Sequence, residues 1–308
     1  MGLPSVRVIL ILAFLADMAA GSILFGLFRW VADKNPPAES LQLGLIGASG
    51  SLAYFLSCRY VARLGAYLEG LRMPVLGIVI SIAALVLLNM NGSIWAMYLL
   101  WPLMISSWSL IFPSITGWIR YGRSGKALRA ALFLFCIAWM SGITFGAFLG
   151  SRLYALDGPD MGVRHVYLAC IGIYLICLVL LLVSGRKPRS KQEPIGEEPP
   201  REVDSKLAGA FMRVGWLGNI LLMFCGVVLF NLFNKLATDL GIPPAAHGWL
   251  LVAFRIAALI TAGVMIVSLF WHHRWWSFLV AQGIAVAGLC VVGMTSEFLA
   301  QCTGSRNH

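Results

Sequence analysis

The amino-acid sequence predicts an all-α membrane protein that crosses the bilayer many times. Of its 308 residues, 59% are hydrophobic and only 12% are charged, and that charged share is about half of what a soluble domain carries. The apolar residues form nine continuous runs, each about as long as the 20 residues that a helix needs to cross the hydrocarbon core. A barrel strand would instead alternate apolar and polar residues, so each run is predicted to be a helix.

The first six runs predict an N-terminal six-helix transmembrane bundle that covers residues 1–184. Its helices are expected at roughly residues 6–30, 41–58, 73–90, 94–119, 127–152 and 165–184. The first run continues into further apolar sequence, which indicates a retained helix rather than a cleaved signal peptide. Pro113 is expected to bend the fourth helix, because proline frees a backbone carbonyl inside a helix.

Glycines recur at fixed spacing in two of these runs. Gly44, Gly47 and Gly50 repeat every third residue in the second run, and Gly142, Gly146 and Gly150 repeat every fourth residue in the fifth. Glycine lets two helix backbones approach closely within a membrane. We therefore predict a tight helix contact on each of these faces.

The remaining runs form a second block behind a polar segment. Residues 185–212 are rich in Pro, Glu, Lys and Arg and have little apolar surface to bury, which predicts a flexible cytoplasmic linker. Residues 213–308 then contain three runs, at roughly 213–235, 246–270 and 276–297, and these predict an incomplete C-terminal bundle.

Basic residues alternate between the two sides of the predicted membrane. One set of segments holds sixteen Lys and Arg residues and the opposite set holds six, with Arg255 inside the eighth run. Cytoplasmic loops carry the excess of Lys and Arg. The sequence thus predicts a multi-pass protein of the cell (inner) membrane, that is, a plasma membrane. Its N-terminus is predicted to be cytoplasmic, and its main partner is the lipid bilayer.

Several classes of function are excluded by what the sequence lacks. The net charge of +10 comes from short loops between spans, so it indicates membrane orientation and no nucleic-acid partner. The seven cysteines include no Cys-x-x-Cys pair, and no phosphate-binding loop or hydrolase motif occurs. We expect no metal, no cofactor and no enzymatic activity.

The loop after the second run carries a partial family motif. It reads CRYVARLGAY from Cys58, and Arg63 and Gly65 match the central Arg and Gly of the pattern Gly-x-x-x-Asp-Arg-x-Gly-Arg-Arg. Together with the six-helix block, the charged linker and the second block, this segment resembles the major facilitator superfamily (MFS) of secondary transporters. The resemblance makes Arg59, Arg63 and Gly65 candidates for the gating loop, although Ala62 stands where the family has its Asp.

The resemblance implies secondary transport of a small solute by alternating access, with the first, fourth and seventh helices lining the path. It also implies that the chain is truncated after its ninth span, since the family has a complete second half. We therefore expect either a fragment or a chain whose missing helices come from a partner chain. The alternative is a truncated remnant that does not transport, or a membrane interaction subunit.

Two charged residues fall near the middle of predicted spans. Asp17 and Arg255 each lie about ten residues into their runs, which at about 1.5 Å per residue places them near mid-membrane. Ionisable groups at this depth are costly and usually face a polar pathway. Both are candidates for the solute or ion pathway, and Asp17 makes a proton a candidate coupling ion. The alternatives are a structural pair or an Arg255 that reaches to the membrane surface.

Aromatic and amide side chains supply the other pathway candidates. Trp101 and Trp108 share a face of the fourth run, and Trp139 lies within the fifth; their rings offer a surface to bind a solute but are equally typical of packing. Asn231 and Asn234 share a face of the seventh run. They are candidates for binding a polar solute, with hydrogen bonding between helices as the alternative.

Thiol labelling tests the predicted orientation. A cysteine introduced near Lys191 should react with an impermeant maleimide only from the cytoplasmic side, and one near Asp157 only from the other side, because basic segments stay inside. Right-side-out and inside-out vesicles give the two measurements. Reaction of both positions from the same side would contradict the orientation.

Overall fold

The computed structural model describes residues 4–34, 40–64, 70–121, 123, 125–184, 230, 232–267, 280, 283–284, 286–288 and 290–291. The predicted linker at 185–212 and most of the ninth predicted helix lie outside these residues. Contacts divide the chain into two compact units, Met1–Leu259 and Ile260–His308. In the second unit the described residues are helical, and they include the last turns of a helix that begins at Pro244. The division into two predicted bundles stays a prediction.

The described part of the chain is helical and contains no strand, which confirms the all-α polytopic class. Its helices are α1 Val6–Asp33, α2 Ser40–Leu64, α3 Arg72–Met90, α4 Ile94–Arg120, α5 Gly125–Tyr154, α6 Gly158–Ser184, α7 over residues 232–239, and α8 Pro244–Val267. Seven of these helices are long and apolar enough to cross a membrane. They correspond to the first six predicted spans and the eighth.

The start of α6 differs from its predicted position. The helix begins at Gly158 rather than near residue 165, with Pro159 at its first turn, where the missing N–H of proline costs nothing. Gly158 has a φ of 76°, a backbone conformation that glycine adopts without strain. The added turns carry Asp160 and Arg164, so hydropathy alone assigned them to a loop.

Helix α1 is central among the first six helices. It packs against α5 and α6 most extensively and also contacts α4 and α2. Most of its side chains from Leu12 to Ala32 are buried, on every side of the helix. A helix that is apolar all round is expected in such a central position.

The fifth-helix glycines bring α5 against the backbone of α1. A Cβ atom added to Gly142 would collide with the carbonyl oxygen of Phe14, and one added to Gly146 would collide with that of Met18. The hydroxyl of Ser22 donates to the carbonyl of Gly146 at 2.9 Å, so a hydrogen bond crosses the same contact. The predicted tight contact on this face of α5 is confirmed.

The glycines of α2 behave differently. A Cβ at Gly50 would collide with the indole nitrogen of Trp101 on α4, whereas a Cβ at Gly44 would meet nothing within 4 Å. The prediction of close packing along this face is therefore wrong for Gly44. The reason is that, among the described helices, α2 packs mainly on α4 and barely touches α1, so only part of its glycine face is covered by one of them.

Substitution of Gly146 tests the α1–α5 contact. Gly146→Ala should destabilise the protein by about 1–3 kcal/mol, because the new methyl group overpacks a backbone contact. Gly172→Ala on α6 is the matched control, since a Cβ there meets nothing within 4 Å. Thermal unfolding of the purified proteins in one detergent provides the comparison, and equal loss in both variants would contradict the contact.

Candidate functional site

Asp17 lies in the middle of α1 and is 2% exposed. The side chain of Trp139, on α5, interacts with its carboxyl group. The Oδ2 atom of Asp17 is buried and has no hydrogen-bond partner among the described residues. An acidic group placed this way is costly in the core of a membrane bundle, and it leaves one oxygen free to bind a ligand.

Arg255 lies on α8 and carries the opposite charge. The charges of Asp17 and Arg255 interact electrostatically, yet the described ion pairs do not include these two residues. The half-buried Arg255 side chain lies 5.9 Å from the centre of the Phe254 ring. The acid and the base therefore interact across a gap instead of neutralising each other in direct contact.

The three residues come from three helices. Asp17 is held by α1, Trp139 by α5 and Arg255 by α8, and the glycine contact between α1 and α5 places Gly142 against Asp17. Trp139 precedes Gly142 by one helical turn, so this contact sets the position of its indole. We name this set, Asp17, Trp139 and Arg255, the central site.

Trp101 and Trp108 lie in the packed interior of the described helices. Trp101 is 1% exposed and makes edge-to-face contacts with Phe28, at 5.1 Å, and with Trp108, at 6.0 Å between ring centres. The Trp108 indole donates to the Tyr174 hydroxyl at 3.0 Å. These are the contacts expected from the packing alternative, and the role of both rings in a pathway stays a prediction.

Asn234 is buried on α7, and its Nδ2 donates to the carbonyl of Phe230 at 2.9 Å. Its Oδ1 atom has no partner among the described residues. Asn231 lies outside the described residues. In the gating-loop candidates, Arg59 and Arg63 are exposed at the end of α2, and Gly65 lies outside the described residues.

A second polar cluster, which the sequence did not reveal, surrounds Asp33 at the end of α1. Its carboxylate accepts hydrogen bonds from Arg29 Nε at 2.9 Å, from the Tyr154 hydroxyl at 2.8 Å and from the Thr238 hydroxyl at 3.0 Å. These donors lie on α1, α5 and α7. The four-residue spacing of Arg29 and Asp33 is the one signal of a pair that the sequence offered.

His247 of α8 packs beside this cluster and is fully buried. Its ring centre lies 5.2 Å from that of Phe25 on α1 and 5.1 Å from that of Phe233 on α7. We name the set of Arg29, Asp33, Tyr154, Thr238 and His247 the Asp33 closure, because it joins α1 and α5 to α7 and α8 at one end of the bundle.

The described residues also form a groove between α2, α3 and α4. It has a volume of about 490 Å³ and is lined mainly by apolar side chains together with serines, among them Ser57, Ser106 and Ser109. The hydroxyls of Ser57 and Ser109 already donate to carbonyls of their own helices. None of the three residues of the central site lines this groove, so we do not include it in the site.

The fold resembles that of a known transporter. A solved structure described as a POT family transporter in complex with thioalcohol conjugated peptide matches with a TM-score of 0.50 and 15% identity. The match covers 77% of this chain and 50% of that one, so this chain spans about half of the matched protein. No family model and no curated protein sequence matches. The likeness concerns the fold alone.

Removing the Asp33 carboxylate should cost stability. Asp33→Leu leaves the buried Arg29 unpaired, a change that typically costs about 3–5 kcal/mol for a buried ion pair. The control is Asp239→Leu, which removes the exposed partner of Lys235 at the same four-residue spacing and should cost about 0–1 kcal/mol. Denaturant unfolding in mixed micelles measures both, and equal costs would contradict a buried role for Asp33.

Proposed function

We propose that the protein is a secondary transporter that moves a small polar solute across the membrane by alternating access. The observation that carries this proposal is the buried carboxyl of Asp17, whose Oδ2 atom has no partner among the described residues. A polar group of this kind within a span is retained where it binds a solute or an ion.

The arrangement of the central site supports this mechanism. Asp17 and Trp139 belong to the predicted first block and Arg255 to the second, so relative movement of the blocks would change the gap between acid and base. Secondary transporters bind their solute near the bilayer midplane, between two blocks of helices. A solute that bridges the gap would then be held in one arrangement and released in another.

We propose further that the chain is of the major facilitator type, lies in the cell membrane and has its N-terminus on the cytoplasmic side. The fold likeness and the distribution of basic residues support these assignments. A gradient of solute or ion would drive the movement, and the carboxyl group of Asp17 makes the proton a candidate coupling ion.

Reconstituted uptake tests the function. The protein in liposomes should accumulate at least one member of a panel of labelled amino acids, small peptides, sugars and nucleosides when an inward gradient is imposed. Asp17→Asn and Arg255→Gln should each lower that rate by about tenfold or more, equivalent to about 1.4 kcal/mol of lost interaction, because each removes one charge of the central site.

Two controls separate this effect from general damage. Asp157→Asn and Arg164→Gln make the same changes outside the central site, and Arg164 is exposed, so both should leave uptake unchanged. All variants are compared at equal incorporation and with a single peak in size-exclusion chromatography. Unchanged uptake by both central-site variants would remove those residues from the mechanism. No uptake of any solute would favour the non-transporting alternative.

A further inference from the structure

His247 is enclosed in an environment that is unusual for a histidine. It is 0% exposed and lies between the rings of Phe25 and Phe233. Both of its ring nitrogens are buried without a hydrogen-bond partner among the described residues. Burying polar atoms unpaired costs about 1–3 kcal/mol for each group, so the apolar contacts of the ring hold a polar group in a place that does not satisfy it.

Among the described residues, the charges that act on the ring come from α1. They are Arg29, which repels a protonated imidazole, and Asp33, which attracts it. Asp33 is already bound by three donors, and the Nη1 atom of Arg29 is buried without a partner among the described residues. Of these two charged groups, the one with an unused hydrogen-bonding atom is therefore the positively charged Arg29.

The other described helices that pack around the ring carry one charged group close to α8, Arg152 of α5. From α5 the Tyr154 hydroxyl is bonded to Asp33, and the Arg152 guanidinium lies over the rings of Phe148 and Trp249. On α7, Asn234 and Thr238 are neutral, and Lys235 forms an ion pair with Asp239. The charge balance around His247 is thus set by Arg29 and Asp33.

We propose that His247 is a proton-binding site, separate from Asp17, whose protonation opens the Asp33 closure. In the closed arrangement a charged ring would lose its water and face Arg29, and both effects are unfavourable. In an opened arrangement the ring contacts water, where histidine takes up a proton between about pH 5 and 8. The open form therefore binds more protons than the closed form, so lowering the pH favours opening.

The contacts of the Asp33 closure that join α7 and α8 to α1 are few. Among the described residues, the Thr238 hydroxyl supplies the one hydrogen bond from α7 to Asp33, and the contacts of His247 with Phe25 supply aromatic packing between α8 and α1. A single protonation is able to shift such an interface. The proposal rests on the proposed function in one respect, that this end of the bundle opens during transport.

Cysteine accessibility tests the proposal without any transported solute. Ala237→Cys places a thiol at a buried position on α7, 1% exposed, and Leu240→Cys places one at a position that is 36% exposed nearby. Both proteins, in nanodiscs that leave both faces wet, react with an impermeant maleimide at several pH values. Labelling of the parent protein is subtracted, and the rate of the Ala237→Cys protein is then divided by that of the Leu240→Cys protein. This ratio cancels the pH dependence of the thiol reaction itself.

The ratio should rise as the pH falls through the histidine range, by up to about tenfold per pH unit, the limit for linkage to a single proton. In His247→Phe the ratio should stay low at every pH, because the substituted ring packs between the same aromatics and cannot be charged. His247→Gln should also abolish the dependence, and it decides the result if the Phe variant does not fold. His165→Gln, which removes a partly exposed histidine paired with Asp157, should keep it.

A flat ratio in the parent protein overturns the proposal. It is also overturned if the dependence survives in His247→Gln, since another group such as Asp33 would then be responsible. The assay distinguishes this inference from the proposed function. A pH-dependent ratio in a protein that transports no solute would support the proton site and contradict the proposed transport. Uptake together with a flat ratio would support transport and contradict the proton site.

Discussion

The backbone contact between α1 and α5 is the interaction on which the rest of the described structure depends. Lipid chains are as apolar as leucine, so helices in a bilayer associate through close packing and hydrogen bonds. The glycines of α5 provide that packing against Phe14, Met18 and Ser22. The same contact sets Trp139 beside Asp17. The central site is thus a consequence of how the bundle packs.

Helix α1 carries two buried acidic groups that differ in how fully their oxygens are hydrogen-bonded. Asp33 accepts bonds from three side chains and is a stabilising centre. Asp17 interacts with the side chain of Trp139 and with a distant opposite charge, Arg255, and its Oδ2 atom has no hydrogen-bond partner among the described residues. A satisfied carboxylate resists rearrangement, whereas an incompletely satisfied one gains from a ligand. The physical distinction between a structural and a functional acid therefore lies in their partners, since both are buried.

Much of the fold and little of the polar clustering could be predicted from sequence. Apolar run length and glycine spacing are local signals, and they predicted the seven spans found among the described residues and the face of α5 that makes the tight contact. Gly44 shows the limit, because spacing identifies a face but not the helix that covers it. The bond from Thr238 to Asp33 joins residues 205 positions apart, and His247 looks like any residue at a helix start. Only the tertiary arrangement brings such groups together.

The two polar centres are joined mechanically through α1. Asp17 and Asp33 are sixteen residues apart on one continuous helix, about 24 Å at the rise of an α-helix. Backbone packing fastens α1 to α5, whereas α1 meets α7 and α8 through side chains, Asp33 with Thr238 and Phe25 with His247. Side-chain contacts of this kind contribute about 1 kcal/mol each. Because α8 also carries Arg255, a change in how α8 meets the end of α1 would also alter the gap between Arg255 and Asp17.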